Sequence, residues 1–104
     1  MSVGAPQFRM ETSPVDGGIL LKVGGEVDIS TADSLARRLR SFVDEGYRQV
    51  SLDLEDVRYL DSMGISAILS VHEALRAVHG QIRIVRSSPR VNRLFDVLRL
   101  EFLK

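Results

Sequence analysis

The chain has 104 residues, 14 basic and 14 acidic side chains, 44% hydrophobic residues and no cysteine. This composition fits one globular domain with a substantial core, and the lack of cysteine excludes a disulfide, a thiolate nucleophile and a cysteine-based zinc site. Because the net charge is zero and the sequence shows neither a membrane span nor a signal peptide, we expect a cytoplasmic protein that binds no nucleic acid.

Charge is nevertheless spread unevenly along the chain. Residues 1–80 carry 8 basic and 12 acidic side chains, whereas residues 81–104 carry 6 basic and 2 acidic ones. The two parts could face partners of opposite sign, or their charges could form one mixed solvated surface. The pattern by itself leaves both interpretations open.

The first predicted element is a β-hairpin. Residues 1–7 are small and polar and are expected to fray, so that a single domain occupies residues 8–104. Residues 8–11 and 19–23 favour strands, and the turn-forming residues over 12–18 predict that these strands pair antiparallel.

A helix and a strand are predicted next. Ser30 is a favourable N-cap with Asp33 in the capping-box position, and apolar side chains at helical spacing continue to Gly46. Residues 49–54 alternate between apolar and polar side chains, which predicts a strand with one buried face and an exposed Asp53.

The second half of the chain again alternates strand and helix. After a connection over residues 55–61, the predicted elements are a helix over 64–80, a strand over 82–85, a helix begun by Ser88 and Pro89, and a candidate strand over 100–103. Strands that alternate with helices favour right-handed crossovers and parallel pairing. The predicted fold is therefore α/β, with a mixed β-sheet, an initial antiparallel hairpin followed by parallel strands, and helices packed on the sheet.

The turn over residues 60–65 is the most informative segment for function. Its Ser62 hydroxyl lies at a predicted helix N-terminus, where free backbone N–H groups and the helix dipole favour an anion. A phosphate on Ser62 would add about −1.5 to −2 charges beside Asp61. The pattern leaves two interpretations, a phosphate acceptor or simply the N-cap of the helix.

A catalytic role for Ser62 lacks a base. His72 and His79 lie ten and seventeen residues further along the predicted helix, which places them roughly 15 and 25 Å away. The turn also has only half of the G-x-S-x-G pattern of hydrolases, and the two histidines are about 10 Å apart along the axis, too far for one metal ion. We therefore expect no enzyme, no metal and no cofactor, with both histidines at surface or boundary positions.

Three segments carry a family resemblance. Residues 25–28 with 31–32, then 50–54 and 59–65, with the Asp-Ser-x-Gly turn as the specific part, resemble the STAS domain of bacterial anti-sigma factor antagonists over about residues 8–103. The resemblance implies a mixed sheet with helices on one side. It also implies that Ser62 is phosphorylated by an anti-sigma factor that is a serine kinase with a histidine-kinase-like ATPase domain.

The resemblance implies a switch between partners. The unphosphorylated antagonist binds the anti-sigma factor and frees the sigma factor, phosphorylation of Ser62 reverses this binding, and a serine phosphatase of the metal-dependent type restores it. Proteins of this length in the family commonly act as monomers. An alternative within the same fold is a STAS subunit of a lipid-transport ABC complex or of a stress-signalling scaffold.

The resemblance also indicates a partner-binding surface, formed by Asp28, Thr31, Asp61, Met63, Gly64 and Ser66. Asp28 matches an aspartate of the family in the loop before the first helix, although from the sequence alone it could equally be a turn or cap residue. Met63 departs from the family, where a second hydroxyl residue commonly follows the phosphorylated serine. Ser66, one helical turn beyond Ser62, is either a secondary acceptor or a small surface residue.

Overall fold

The computed structural model of the chain describes residues 8–104, so the predicted fraying of residues 1–7 lies outside the described residues. The elements in chain order are β1 (Arg9–Val15), β2 (Gly18–Val27), α1 (Ala32–Asp44), β3 (Gln49–Leu60), α2 (Ser62–Arg76), β4 (Gln81–Ser87), α3 (Pro89–Val97) and a final 3₁₀ helix (Glu101–Leu103). Within residues 8–104, no helix combines the length and the apolarity needed to cross a membrane.

The sheet has the strand order β1-β2-β3-β4. β1 pairs antiparallel with β2, whereas β2–β3 and β3–β4 pair in parallel. The two parallel connections run through α1 and α2, as the length of a parallel crossover requires. The predicted mixed sheet is thus confirmed.

Alternation along the strands shows that the helices cover one face of this sheet. Leu21, Leu52 and Ile84 are register neighbours on β2, β3 and β4, and all three are buried in one apolar core. The adjacent residues Ser51 and Arg83 point to the other face and are half-buried and exposed, respectively. Helix residues such as Leu35, Leu39, Ile68, Val71, Val91 and Phe95 complete the core.

The hairpin turn is shorter than predicted. Residues 12–15 belong to β1 and pair with β2, and the turn consists of Asp16 and Gly17 alone. Gly17 has φ +77°, which fits a two-residue hairpin turn. Pro14 is tolerated within the strand because β1 is an edge strand.

β3 is longer than predicted, and Asp53 is buried where an exposed side chain was expected. The strand continues through Glu55 and Asp56 to Leu60, so these acids do not lie in a turn. Asp53 is only 5% exposed, because its register partners Lys22 and Arg86 flank it with long side chains. Its carboxylate accepts a hydrogen bond from the Glu55 backbone N–H at 3.0 Å.

The end of α2 also differs from the prediction. The helix ends at Arg76 instead of residue 80, and His79, with φ 63°, adopts the left-handed conformation that glycine most often takes after a helix. Gly80 serves a different purpose, because a Cβ atom there would lie 2.5 Å from the backbone oxygen of Arg48. It permits two backbone segments to approach closely at the start of β4.

The C-terminal quarter contains one confirmed and one wrong prediction. The Ser88 side chain caps α3 by accepting a hydrogen bond from the Val91 N–H, and Pro89 occupies the first helical position, as predicted. Residues 100–103, in contrast, form no strand. The chain reverses at Arg99 (φ 59°) and forms a 3₁₀ helix that buries Leu103 in the core.

Candidate functional site

The carboxyl ends of β2 and β3 lie side by side. Val27 pairs with Leu60, and the Asp61 N–H donates to the Val27 carbonyl at 3.1 Å. This bond holds the loop after β2, which begins with Asp28, next to the turn that contains Ser62. The structure therefore brings together the two segments that the sequence resemblance assigned to one surface.

Asp61 forms the N-cap of α2. Its carboxylate Oδ1 accepts hydrogen bonds from the N–H groups of Met63 (2.9 Å) and Gly64 (3.2 Å). Ser62 is the first residue of the helix and is exposed. The interpretation of Ser62 as the N-cap is therefore wrong, and across residues 8–104 its hydroxyl has no hydrogen-bond partner.

Asp28 organises the loop between β2 and α1. Its Oδ1 accepts from the Ser30 N–H at 2.9 Å and from the Ser30 hydroxyl at 2.6 Å. These hydrogen bonds, the side-chain one first, lower the pKa of Asp28 below its ordinary value of 3.8. Ser30 is thus a donor within the loop, and the predicted capping box with Asp33 does not form.

Thr31 ties the same loop to the sheet. Its hydroxyl donates to the Glu26 carbonyl at 2.8 Å and accepts from the Asp28 N–H at 2.9 Å. Thr31 also takes the N-cap position of α1, without a side-chain cap bond. The partners of the hydroxyl are all internal, so Thr31 shapes this loop from within.

Gly64 allows α2 to begin directly on the strand ends. A Cβ atom at this buried position would lie 2.7 Å from Val27 Cγ1 and closer still to Leu60 Cδ1. Both atoms belong to buried side chains, so a Cβ atom at residue 64 would force Val27, Leu60 or the helix to shift, and glycine permits the close approach without that shift. Gly64 therefore fixes the position of Ser62 relative to the edge of the sheet.

Three large apolar side chains are exposed in the segments that meet here. Ile29 is 78% exposed, Met63 48% and Tyr59 45%. Sequence reasoning named Met63 and missed Ile29 and Tyr59. No sequence signal marked Ile29, because its spacing of two residues from Val27 continues the period of a strand. A set of exposed apolar side chains is typical of a protein-binding surface.

Two further polar side chains of α2 were candidates from the sequence, Ser66 and His72. Ser66 is exposed. His72 is half-buried against the Phe102 ring, with ring centroids 5.1 Å apart and Nδ1 lacking a hydrogen-bond partner in the described part of the chain. It lies about 15 Å along the helix axis from Ser62. In residues 8–104, no three His, Cys, Asp or Glu side chains are grouped so that they could hold a metal ion.

Comparison with known proteins identifies the family. The STAS domain model matches residues 9–103, and the chain belongs to the STAS domain family. It is 33% identical over 96 residues to the anti-sigma-B factor antagonist of Staphylococcus aureus, which covers 92% of this chain and 89% of that protein.

Two solved structures share the fold. An anti-sigma factor antagonist from Mycobacterium paratuberculosis superposes with a TM-score of 0.82 at 23% identity, over 91% of this chain and 80% of that one. The phosphorylated form of the Bacillus cell-fate determinant SpoIIAA superposes with a TM-score of 0.73 at 19% identity, over 93% and 87%. The family resemblance and the fold expected from it are therefore confirmed.

Proposed function

We propose that this protein is an anti-sigma factor antagonist whose binding is switched off by a phosphate on Ser62. The observation that carries this proposal is the Ser62 hydroxyl, which is exposed at the first residue of α2 and has no hydrogen-bond partner among residues 8–104, while Asp61 supplies the cap. The related Staphylococcus aureus protein is an anti-sigma-B factor antagonist, and a phosphorylated form of the Bacillus protein is known.

The unphosphorylated protein binds an anti-sigma factor that carries a histidine-kinase-like ATPase domain, and this binding frees the sigma factor. Ile29, Met63 and Tyr59 supply apolar contacts to the partner. The loop held by Asp28 and Thr31 adds to the same surface. The antagonist itself is a non-enzymatic monomer that acts in the cytoplasm, and a serine phosphatase of the metal-dependent type resets it.

Phosphorylation acts on binding and not on folding. The N-terminus of α2 accommodates an anion, because the positive end of the helix dipole favours negative charge there, even though the Asp61 carboxylate already accepts from the Met63 and Gly64 N–H groups. A partner pressed against the same turn meets a dianion beside the Asp61 carboxylate, with desolvation cost and like-charge repulsion. A penalty of about 3 kcal/mol lowers the affinity more than a hundredfold.

Intact-mass measurement tests the proposal. After incubation with Mg-ATP and each candidate anti-sigma kinase, the wild-type chain is expected to gain one phosphate, and Ser62→Ala to gain none. Ser66→Ala, which removes an exposed hydroxyl one turn along the same helix, is the matched control and should retain the phosphate.

Two results would contradict the proposal. One is a phosphate that persists on Ser62→Ala. The other is a folded wild-type chain that accepts no phosphate from any candidate kinase and co-purifies with an ATP-binding-cassette subunit, which would favour the transport-complex alternative.

A further inference from the structure

A groove separates the end of β3 from α3. It has a volume of about 350 Å³, and its lining includes Tyr59, Arg90, Arg93, Leu94 and Val97. We call it the α3 groove. Of its lining, the proposed switch at Ser62 uses Tyr59 alone, and five of the seven lining residues come from the basic C-terminal quarter of the chain.

The walls of the α3 groove are apolar and open to solvent. Val97 is 71% exposed and Tyr59 45%, while Leu94 is half-buried at the edge of the core. α3 has only nine residues, and its core-facing positions Val91 and Phe95 are already buried. Val97 therefore adds nothing to the core, and its exposure is typical of a binding surface.

The rim of the α3 groove is cationic. Arg90 and Arg93 are exposed, and within residues 8–104 neither forms an ion pair with a carboxylate. The acidic residue of α3, Asp96, is paired with Lys104 at 2.6 Å. The groove thus presents positive charge beside an apolar wall, which complements a segment that combines carboxylates with an apolar side chain.

The α3 groove is lined by the two residues of β3 that precede the turn with Ser62, Tyr59 and Leu60. Tyr59 lies near the end of β3, three residues before Ser62 at the start of α2. α3 is fastened to β3 by the Ser88 hydroxyl, which donates to the Val57 carbonyl at 2.9 Å. A partner seated over Ser62 therefore has the groove within reach.

We propose that the α3 groove binds an acidic segment of the anti-sigma factor, one that places an apolar side chain against Val97 and carboxylates against Arg90 and Arg93. This inference rests on the proposed function and names the partner chemistry of a second contact. The second contact holds the partner beside the switch, and its charges are independent of phosphate on Ser62.

Charge and apolar contact are tested separately with matched pairs of variants. Val97→Asp alters the groove wall, and its control Leu98→Asp changes the next residue, which is 46% exposed and is not part of the groove lining. Arg93→Glu reverses a rim charge, and its control Arg99→Glu reverses an exposed arginine beyond the end of α3. Thermal unfolding checks that each variant is folded.

Affinity is measured by calorimetry against the anti-sigma factor that phosphorylates Ser62, with a non-hydrolysable ATP analogue to prevent the reaction. The groove variants are expected to bind about tenfold more weakly or worse, and the controls to stay within about twofold of wild type. At saturating anti-sigma factor and ATP, the groove variants should still gain one phosphate.

Failure of this inference is distinguishable from failure of the proposed function. If the wild-type chain binds the anti-sigma factor and both groove variants bind it with wild-type affinity, only the proposed contact in the α3 groove is overturned. An equal loss in Arg93→Glu and Arg99→Glu with no loss in Val97→Asp would also overturn it, as a general charge effect. A wild-type chain that binds no anti-sigma factor would contradict the proposed function and the groove with it.

Discussion

Asp61 and Ser62 are both favourable capping residues, and their positions in the backbone decide which one caps. The Asp61 N–H is still bonded to the Val27 carbonyl of the neighbouring strand, so Asp61 remains extended (φ −103°, ψ −173°) and the helix can begin only after it. The cap bonds therefore go to the aspartate and leave the serine hydroxyl free. A sheet contact between residues far apart in sequence thus determines which side chain is available for modification.

Removal of the cap should destabilise the protein without removing the phosphate acceptor. Asp61→Ala is expected to lower the free energy of unfolding by about 1 kcal/mol, because the Met63 and Gly64 N–H groups lose their acceptor. Asp61→Asn retains a capping oxygen and should stay close to wild type. Urea denaturation measures both, and equal stability of the two variants would contradict the cap assignment.

The loop at Asp28 should make stability depend on acid pH. Hydrogen bonds from Ser30 favour the ionised carboxylate, so the folded-state pKa is lower than the ordinary 3.8 and the unfolded chain binds the proton more tightly. The resulting stabilisation is present above the unfolded value and is lost as the pH falls through the folded one.

Asp28→Asn should therefore lose less stability than wild type as the pH falls below 3.8. Ser30→Ala, which deletes one of the two donor groups, is expected to lie between the two profiles. Stability is measured by urea denaturation across acid pH, and superimposable profiles for wild type and Asp28→Asn would contradict this role.

At the scale of elements, Gly64 in the first turn of α2 has no room for a side chain. Glycine within a helix ordinarily costs stability relative to alanine, but at Gly64 the sign reverses. The Cβ atom of Gly64→Ala would overlap Val27 and Leu60, so we expect a loss of about 1–3 kcal/mol and a displaced N-terminus of α2.

The control for Gly64→Ala is Ser66→Ala, an exposed site on the same helix, which should leave stability within about 0.5 kcal/mol of wild type. Denaturant midpoints measure stability, and the rate of Ser62 phosphorylation reports the position of the turn. A Gly64→Ala variant that is more stable than wild type would show that α2 does not approach the strands this closely.

Local signals sufficed for some elements and not for others. Ser88 and Pro89 started α3 as predicted, because a cap and a proline act within one turn. The burial of Asp53 could not be predicted from alternation, since the side chains that flank it come from β2 and β4. Residues 100–103 are apolar except for Glu101, which is compatible with a short strand, but the chain reversal at Arg99 makes Glu101–Leu103 a 3₁₀ helix.

The same distinction applies to the site. The turn motif points to Ser62 and its neighbours from the sequence alone, whereas Ile29 and Tyr59 were missed because exposure depends on the packed structure. The α3 groove could not be predicted at all, because it forms only when the end of β3 meets a helix that begins almost thirty residues later.

At the scale of the whole molecule, the amino ends and the carboxyl ends of the parallel strands are built differently. At the amino ends of the strands, backbones approach so closely that Gly18 and Gly80 admit no side chain against Gln49 and Arg48. The carboxyl ends carry the loops, the free hydroxyl and the exposed apolar side chains. Close packing at the amino ends of the strands thus supports the proposed binding surface at their carboxyl ends, where open α/β sheets usually bind their ligands.

The two-residue hairpin turn offers a place for a reporter. Asp16 is exposed in this turn, and β2 extends ten residues from there before the loop of Asp28 begins, a span of about 33 Å. Because the chain contains no cysteine, Asp16→Cys would create a unique thiol for a fluorophore. Changes in its rotational mobility would then follow association and release in real time, with the dye far from both the switch and the groove.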